Sequence, residues 1–213
     1  MSVGEDREKT RLGFVDVLFA IAVGKTLELT TQPKMSAAGL AQLLVAGITT
    51  LLSYVGYRNS SSRTDQEMDP LRNGPFYHFV IDVFLVYLYF LLAASSESPG
   101  ESPTATDEAV LIALVFLAYV AWDALALWMR RSGRLEGGVT PSSVRRMKVS
   151  VWCFAASGVV LAAVWIREPD TRNSVVLVDA VLLVLALAYR VLKGPSTRVT
   201  GTPPPGSGTP TGG

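Results

Sequence analysis

The sequence predicts an all-α membrane protein with six transmembrane helices and both termini in the cytoplasm. Hydrophobic residues make up 49% of the 213-residue chain, and the mean hydropathy is +0.35. They gather into six blocks, 12–30, 38–57, 76–94, 108–129, 147–166 and 174–192. Each is close to the ~20 residues that cross a hydrocarbon core about 30 Å thick at 1.5 Å per residue. At that depth every backbone group must be satisfied within its own segment, which selects helices. Runs such as VLIALVFLAYVAW at 110–122 show none of the alternation a strand requires.

Charge sets the orientation. Arg7, Lys9 and Arg11 precede the first block, and Arg58, Arg63 and Arg72 follow the second. Arg130, Arg131, Arg134, Arg145, Arg146 and Lys148 lie around the fourth connection, and Arg190, Lys193 and Arg198 close the sixth block. Of the 19 basic residues, all but Lys25, Lys34, Arg167 and Arg172 therefore fall on one side. The positive-inside rule places that side in the cytoplasm. The net charge of +1 carries little, because the information is in the alternation between loops.

Taken in order, residues 1–11 read as a cytoplasmic N-terminus and 12–193 as the six-helix membrane domain. The first block, RLGFVDVLFAIAVGKTLELT at 11–30, is the most polar, carrying Asp16, Lys25 and Glu28. Ala20-Ile21-Ala22 looks like a signal-peptidase site, but the apolar run continues to Leu29 behind a mixed-charge start. The second block ends in Tyr54-Val55-Gly56-Tyr57, an echo of a potassium selectivity filter. It closes a full span, whereas a filter needs a re-entrant loop. Pro75 suits the first turn of the third helix. Thr106 or Asp107 is placed to cap the fourth, with Glu108 at its positive end. Thr140-Pro141-Ser142-Ser143 reads as the entry to the fifth. The segment 194–213, GPSTRVTGTPPPGSGTPTGG, has the composition of a disordered tail. No repeat relates helices 1–3 to helices 4–6, and no Pro interrupts a span, so a broken-helix transporter finds no support.

The chemistry lies in the intramembrane charges, each costing about 2.5–3.5 kcal/mol at mid-bilayer unless it faces protein or water. Counting helical rise from the expected boundaries puts Asp16, Asp82 and Asp123 about 6–9 Å inside the cytoplasmic edge. Lys25 and Asp179 lie about 8 Å from the outer edge, with Glu28 one turn further out. These charges read either as a water-lined path or as contacts that lock helices, with Lys25 pairing Asp179. Ile21, Lys25 and Glu28 share an i, i+4, i+7 face. His78 is the one histidine and reads as an interfacial aromatic. Cys153 is the one cysteine, which rules out an internal disulfide. No metal set, cofactor motif, nucleophile–base pair or nucleic-acid motif stands out, so a non-enzymatic protein without cofactor or metal is expected.

Arg11-x-x-Phe14-x-Asp16-x-x-Phe19-Ala20-Ile21-Ala22 resembles the first helix of the transmembrane protein 175 family of endolysosomal and prokaryotic potassium channels. The resemblance implies a homo-oligomer, a tetramer in the prokaryotic members, built around helix 1 in the plasma membrane and passing monovalent cations. It implies that Arg11, Phe14 and Asp16 form a packing and gating network and that Ile21 narrows the pore. Lys25 and Glu28 stand where that family keeps apolar or small residues, and a lysine lining the pore would oppose cations.

Overall fold

The computed structural model describes residues 3–31, 35–61, 74–97, 105–133, 138–167 and 172–194, with side chains for 14–31, 35–58, 76–96, 105–133, 138–167 and 175–194. The tail after 194 and the side chain of Arg11 lie outside the described residues. Six α-helices, α1 (Val3–Thr30), α2 (Ala37–Ser61), α3 (Gly74–Ala94), α4 (Ala105–Arg131), α5 (Pro141–Arg167) and α6 (Arg172–Lys193), form the chain, and there is no strand among the described residues.

Five of them, α2 to α6, are long and apolar enough to cross a membrane. The chain is a multi-pass integral membrane protein. The expectation of six equivalent spans needs correction at α1. At 28 residues it is long enough, but Asp16, Lys25 and Glu28 leave it more polar than the others. It also begins at Val3, well before the expected start at residue 12.

Local chemistry fixes several helix ends. Ser36 Oγ accepts the Gly39 N–H at 3.0 Å and opens α2. The entry to α5 is a reciprocal cap: the Ser143 N–H donates to Thr140 Oγ1 at 3.3 Å and the Thr140 N–H to Ser143 Oγ at 3.1 Å. Pro141 follows at the first helical position, where a missing N–H does no harm. At α4 the expected cap is displaced: the helix starts at Ala105, and Asp107 and Glu108 lie inside its first turn. Gly133, at φ 70°, carries the chain out of α4 in the left-handed conformation that glycine accepts without penalty.

Helices consecutive in the chain run antiparallel, so the packed pairs α1–α3, α2–α6 and α4–α6 run parallel. α2, α3, α4 and α6 form a central ring of contacts (α2–α3, α3–α4, α4–α6 and α6–α2), α1 packs on α2 and α3, and α5 packs on α4 and α6. One end of the bundle collects the starts of α1, α3 and α5 and the finishes of α2, α4 and α6. It holds Arg58, Arg130, Arg131, Arg145, Arg146, Lys148, Arg190 and Lys193 and is called the basic end. Lipid is as apolar as the core, so helix association rests on close packing and interhelical polar contacts. On α1 the buried stripe is Val15, Phe19, Ala22 and Leu29. The Phe19 ring enters a socket of Tyr54, Tyr57 and Tyr89, with centroids 5.2, 5.9 and 6.1 Å away. A Cβ on Gly47 would lie 3.2 Å from the Thr26 methyl, so this glycine lets α2 approach α1. Within the helices, Thr26 and Thr50 donate to the carbonyls of Ala22 and Ala46, which satisfies their hydroxyls locally.

Candidate functional site

The buried polar groups fall into two clusters at opposite ends of the bundle. At the basic end the centre is Asp123 on α4, 5% exposed. Lys193, in the last turn of α6, reaches back and donates to Asp123 Oδ2 at 2.8 Å and to the Tyr189 hydroxyl at 2.5 Å. The Ser150 hydroxyl on α5 also donates to Asp123. The ammonium is surrounded by aromatic faces, 4.9 Å from the Tyr189 ring centroid, 5.5 Å from Tyr119 and 5.9 Å from Trp122. A lysine bends into a bundle in this way when it gains hydrogen bonds, a counter-charge and cation–π contacts together. The Tyr119 ring stacks on Tyr189 at 4.7 Å. The Tyr119 hydroxyl meets Ser53 and, at 2.8 Å, the Tyr89 hydroxyl. Side chains from α2, α3, α4, α5 and α6 thus form one polar layer.

The other inner charges lie around this layer. Asp16 pairs with Arg58, in the last turn of α2, at 3.5 Å. Asp82 is half-buried on α3 and is not without a partner. The Nε2 of His78 is 3.3 Å from the Trp122 carbonyl, and its ring lies 4.6 Å from the indole, which makes it a helix-packing aromatic. Phe14 is half-exposed, its ring 5.9 Å from Phe79. Tyr54-Val55-Gly56-Tyr57 is uninterrupted α-helix. Gly56 makes room for the Arg190 guanidinium, whose Nη1 would lie 2.5 Å from a Cβ there.

At the opposite end the expected Lys25–Asp179 pair gives way to two other contacts. Lys25 meets Glu28 one turn on, at 3.6 Å. Asp179, 2% exposed, lies against the carboxyl of Glu108 on α4, and the Gln42 amide of α2 lies against Glu108 as well. Glu108 is more than a residue at a helix N-terminus: it and Gln42 are each 1% exposed. No hydrogen bond reaches either oxygen of Glu108, either oxygen of Asp179 or Oε1 of Gln42. Among the described residues, no three His, Cys, Asp or Glu side chains converge as a metal set.

The shared face expected for Ile21, Lys25 and Glu28 is also divided. Ile21 is 54% exposed and the Glu28 side chain 66%, whereas the Lys25 side chain is 19% exposed. The outward stripe of α1 runs Phe14, Val17, Ala20, Ile21, Gly24, Leu27 and Glu28.

Sequence reasoning missed Lys193, assigned to loop charge, and Glu108, assigned to the helix dipole. The signal available for Lys193 was its i, i+4 spacing from Tyr189. For Glu108 it was one carboxylate near the start of an otherwise apolar span. Comparisons with protein-family models, curated proteins and solved structures returned no match.

Proposed function

We propose that this chain is the protomer of a channel-like homo-oligomer in the plasma membrane. In this reading both termini are cytoplasmic, α1 crosses the bilayer, and its outward stripe lines a passive path for a small monovalent cation such as K⁺. The observation that carries it is the position of α1 at the rim of the bundle, with Ile21 facing outward and Lys25 turned aside. That arrangement removes the objection that a lysine would stand in the pore beside Ile21. Ala20 and Gly24, one turn apart on the stripe, suit close approach between copies of the helix. Ile21 then forms an apolar constriction, and the Glu28 carboxylate near the end of α1 concentrates cations at its mouth. The resemblance of residues 11–22 to the transmembrane protein 175 family supports the same reading.

Flux from liposomes loaded with K⁺ tests it. The wild-type chain should pass K⁺, and Ile21→Asn should raise the flux by making the constriction polar. Absence of flux from both, or a strict monomer in mild detergent, would sink the reading. One observation favours a second, non-conducting structural or accessory role: Asp16 and Asp123, two of the three inner carboxylates, are held by Arg58 and Lys193. Under that reading the charges lock helices, and the liposomes stay tight whatever residue occupies position 21.

A further inference from the structure

The cations of the basic end divide by what holds them. Lys193 is held by Asp123 and Arg58 by Asp16, and Arg130 donates to the Gly138 carbonyl at 3.3 Å. The Arg190 guanidinium lies against Gly56. Arg146 is half-buried, close enough for its charge to act on Lys193. Arg145 and Lys148 differ from these. Both are exposed, and neither makes an ion pair or hydrogen bond with another described side chain. They lie about one turn apart near the start of α5, and Trp152 follows a turn deeper, 75% exposed. At 3.6 residues per turn, Arg145, Lys148, Trp152, Ala155, Val159 and Ile166 fall within an arc of about 100°. All six are exposed, so this face of α5 turns away from the bundle and is independent of α1 and of any pore.

We propose that this face of α5 is a docking site for an acidic phospholipid, its phosphate held by Arg145 and Lys148 and an acyl chain laid along the row below them. Residues three apart on a helix lie about 5–6 Å apart at Cβ, so both side chains reach one phosphate. The guanidinium serves as a bidentate donor and the ammonium as a point charge. Trp152 lies where an indole keeps its ring in hydrocarbon and its N–H among the headgroups. Charge favours the anion twice. The two cations repel each other, and residues 141–148 hold three cations and no acid, the reverse of what a helix start favours. A phosphate between Arg145 and Lys148 offsets both effects. The row that follows makes the occupant a lipid and not a soluble anion. Val159 is 69% exposed and Ile166 78%, on a helix long and apolar enough to cross a membrane. Ala155 leaves a notch between Trp152 and Val159 for the chain. The positive-inside rule assigns this end to the cytoplasm, and the leaflet there is the one that carries acidic lipids.

The test uses the full chain, delipidated in dodecyl maltoside and titrated with phosphatidylglycerol or phosphatidylcholine of the same acyl chains. Native mass spectrometry should show the wild-type chain retaining phosphatidylglycerol in preference to phosphatidylcholine. Thermal unfolding should show a saturable rise in Tm with phosphatidylglycerol alone. The double variant Arg145→Gln, Lys148→Gln should bind phosphatidylglycerol about thirtyfold more weakly, the loss expected when two cations at a membrane surface are removed. Trp152→Ala should weaken binding of both lipids. Arg131→Gln, which removes an exposed cation from the end of α4, should bind like wild type. The proposal is overturned if the two lipids are retained equally, or if the double variant keeps the preference. It is overturned too if Arg131→Gln loses as much, since summed charge and no site would then be at work. An equal rise in Tm with inorganic phosphate would make the ligand a soluble anion and also overturn it. The changed side chains are exposed and have no partner among the described side chains, so the variants should fold, and their unfolding without lipid checks this.

Discussion

The two ends of this bundle bury acids of the same kind in opposite ways. At the basic end, Asp123 has a lysine at 2.8 Å and a serine hydroxyl, and the lysine has aromatic faces around it. At the other end, Glu108 and Asp179 have each other and the Gln42 amide. Burial is nearly equal, so the difference is one of partners. Asp123 is held by a cation and a hydroxyl that the fold itself provides, whereas Glu108 and Asp179 are buried against each other and an amide. The polarity of the helices explains the contrast. Long basic side chains cluster where α2, α4 and α6 finish, and only there can a lysine fold back along its own helix to an acid one helix away.

The comparison can be broken most directly at Lys193. Lys193→Met leaves Asp123 buried without its counter-charge and should cost about 3–5 kcal/mol of stability. Denaturation in detergent would show the loss, and adding Asp123→Asn should recover part of it. If Lys193→Met unfolds like wild type, the lock is not structural. Tyr89→Phe removes one hydroxyl from the Ser53–Tyr89–Tyr119 group and should cost about 1–2 kcal/mol by the same measurement, since a buried partner is left short of a hydrogen bond.

The opposite end should respond with the opposite sign. Glu108→Gln relieves the contact between two acids without leaving a charge unpaired, so the variant should equal or exceed wild type by about 1 kcal/mol. A loss of stability comparable to Lys193→Met would erase the distinction between the two ends. The smallest effect belongs to Arg58→Ala: the arginine side chain is 53% exposed, and exposed pairs are worth about 0–1 kcal/mol. A larger loss would show that Asp16 is as tightly committed as Asp123.

Much of the fold was legible in the sequence. The six blocks correspond to the six helices, with ends a few residues out except at the starts of α1 and α5, because twenty apolar residues in a row admit one solution in lipid. The entry at Thr140-Pro141 was legible for a local reason, a hydroxyl placed before a proline. The partners of the buried charges were not. Lys25 and Asp179 lie at similar heights, and sequence arithmetic joins them on height alone. Two residues at one height meet only if their helices turn the right faces together. That rotation is set by Phe19 in its tyrosine socket and by Gly47 against Thr26, contacts between residues far apart in the chain.

Sequence by itself determined that the chain is helical, that its helices α2 to α6 suit a membrane, and how far along its helix each charge lies. Periodicity, length and the cost of burying backbone are properties of single segments, so a single segment reveals them. Tertiary structure decided which way Lys25 turns, that Lys193 rather than a loop cation neutralises Asp123, and that Glu108 and Asp179 meet in one buried contact. Those outcomes depend on helix rotation and side-chain reach across the bundle, and no segment carries that information alone.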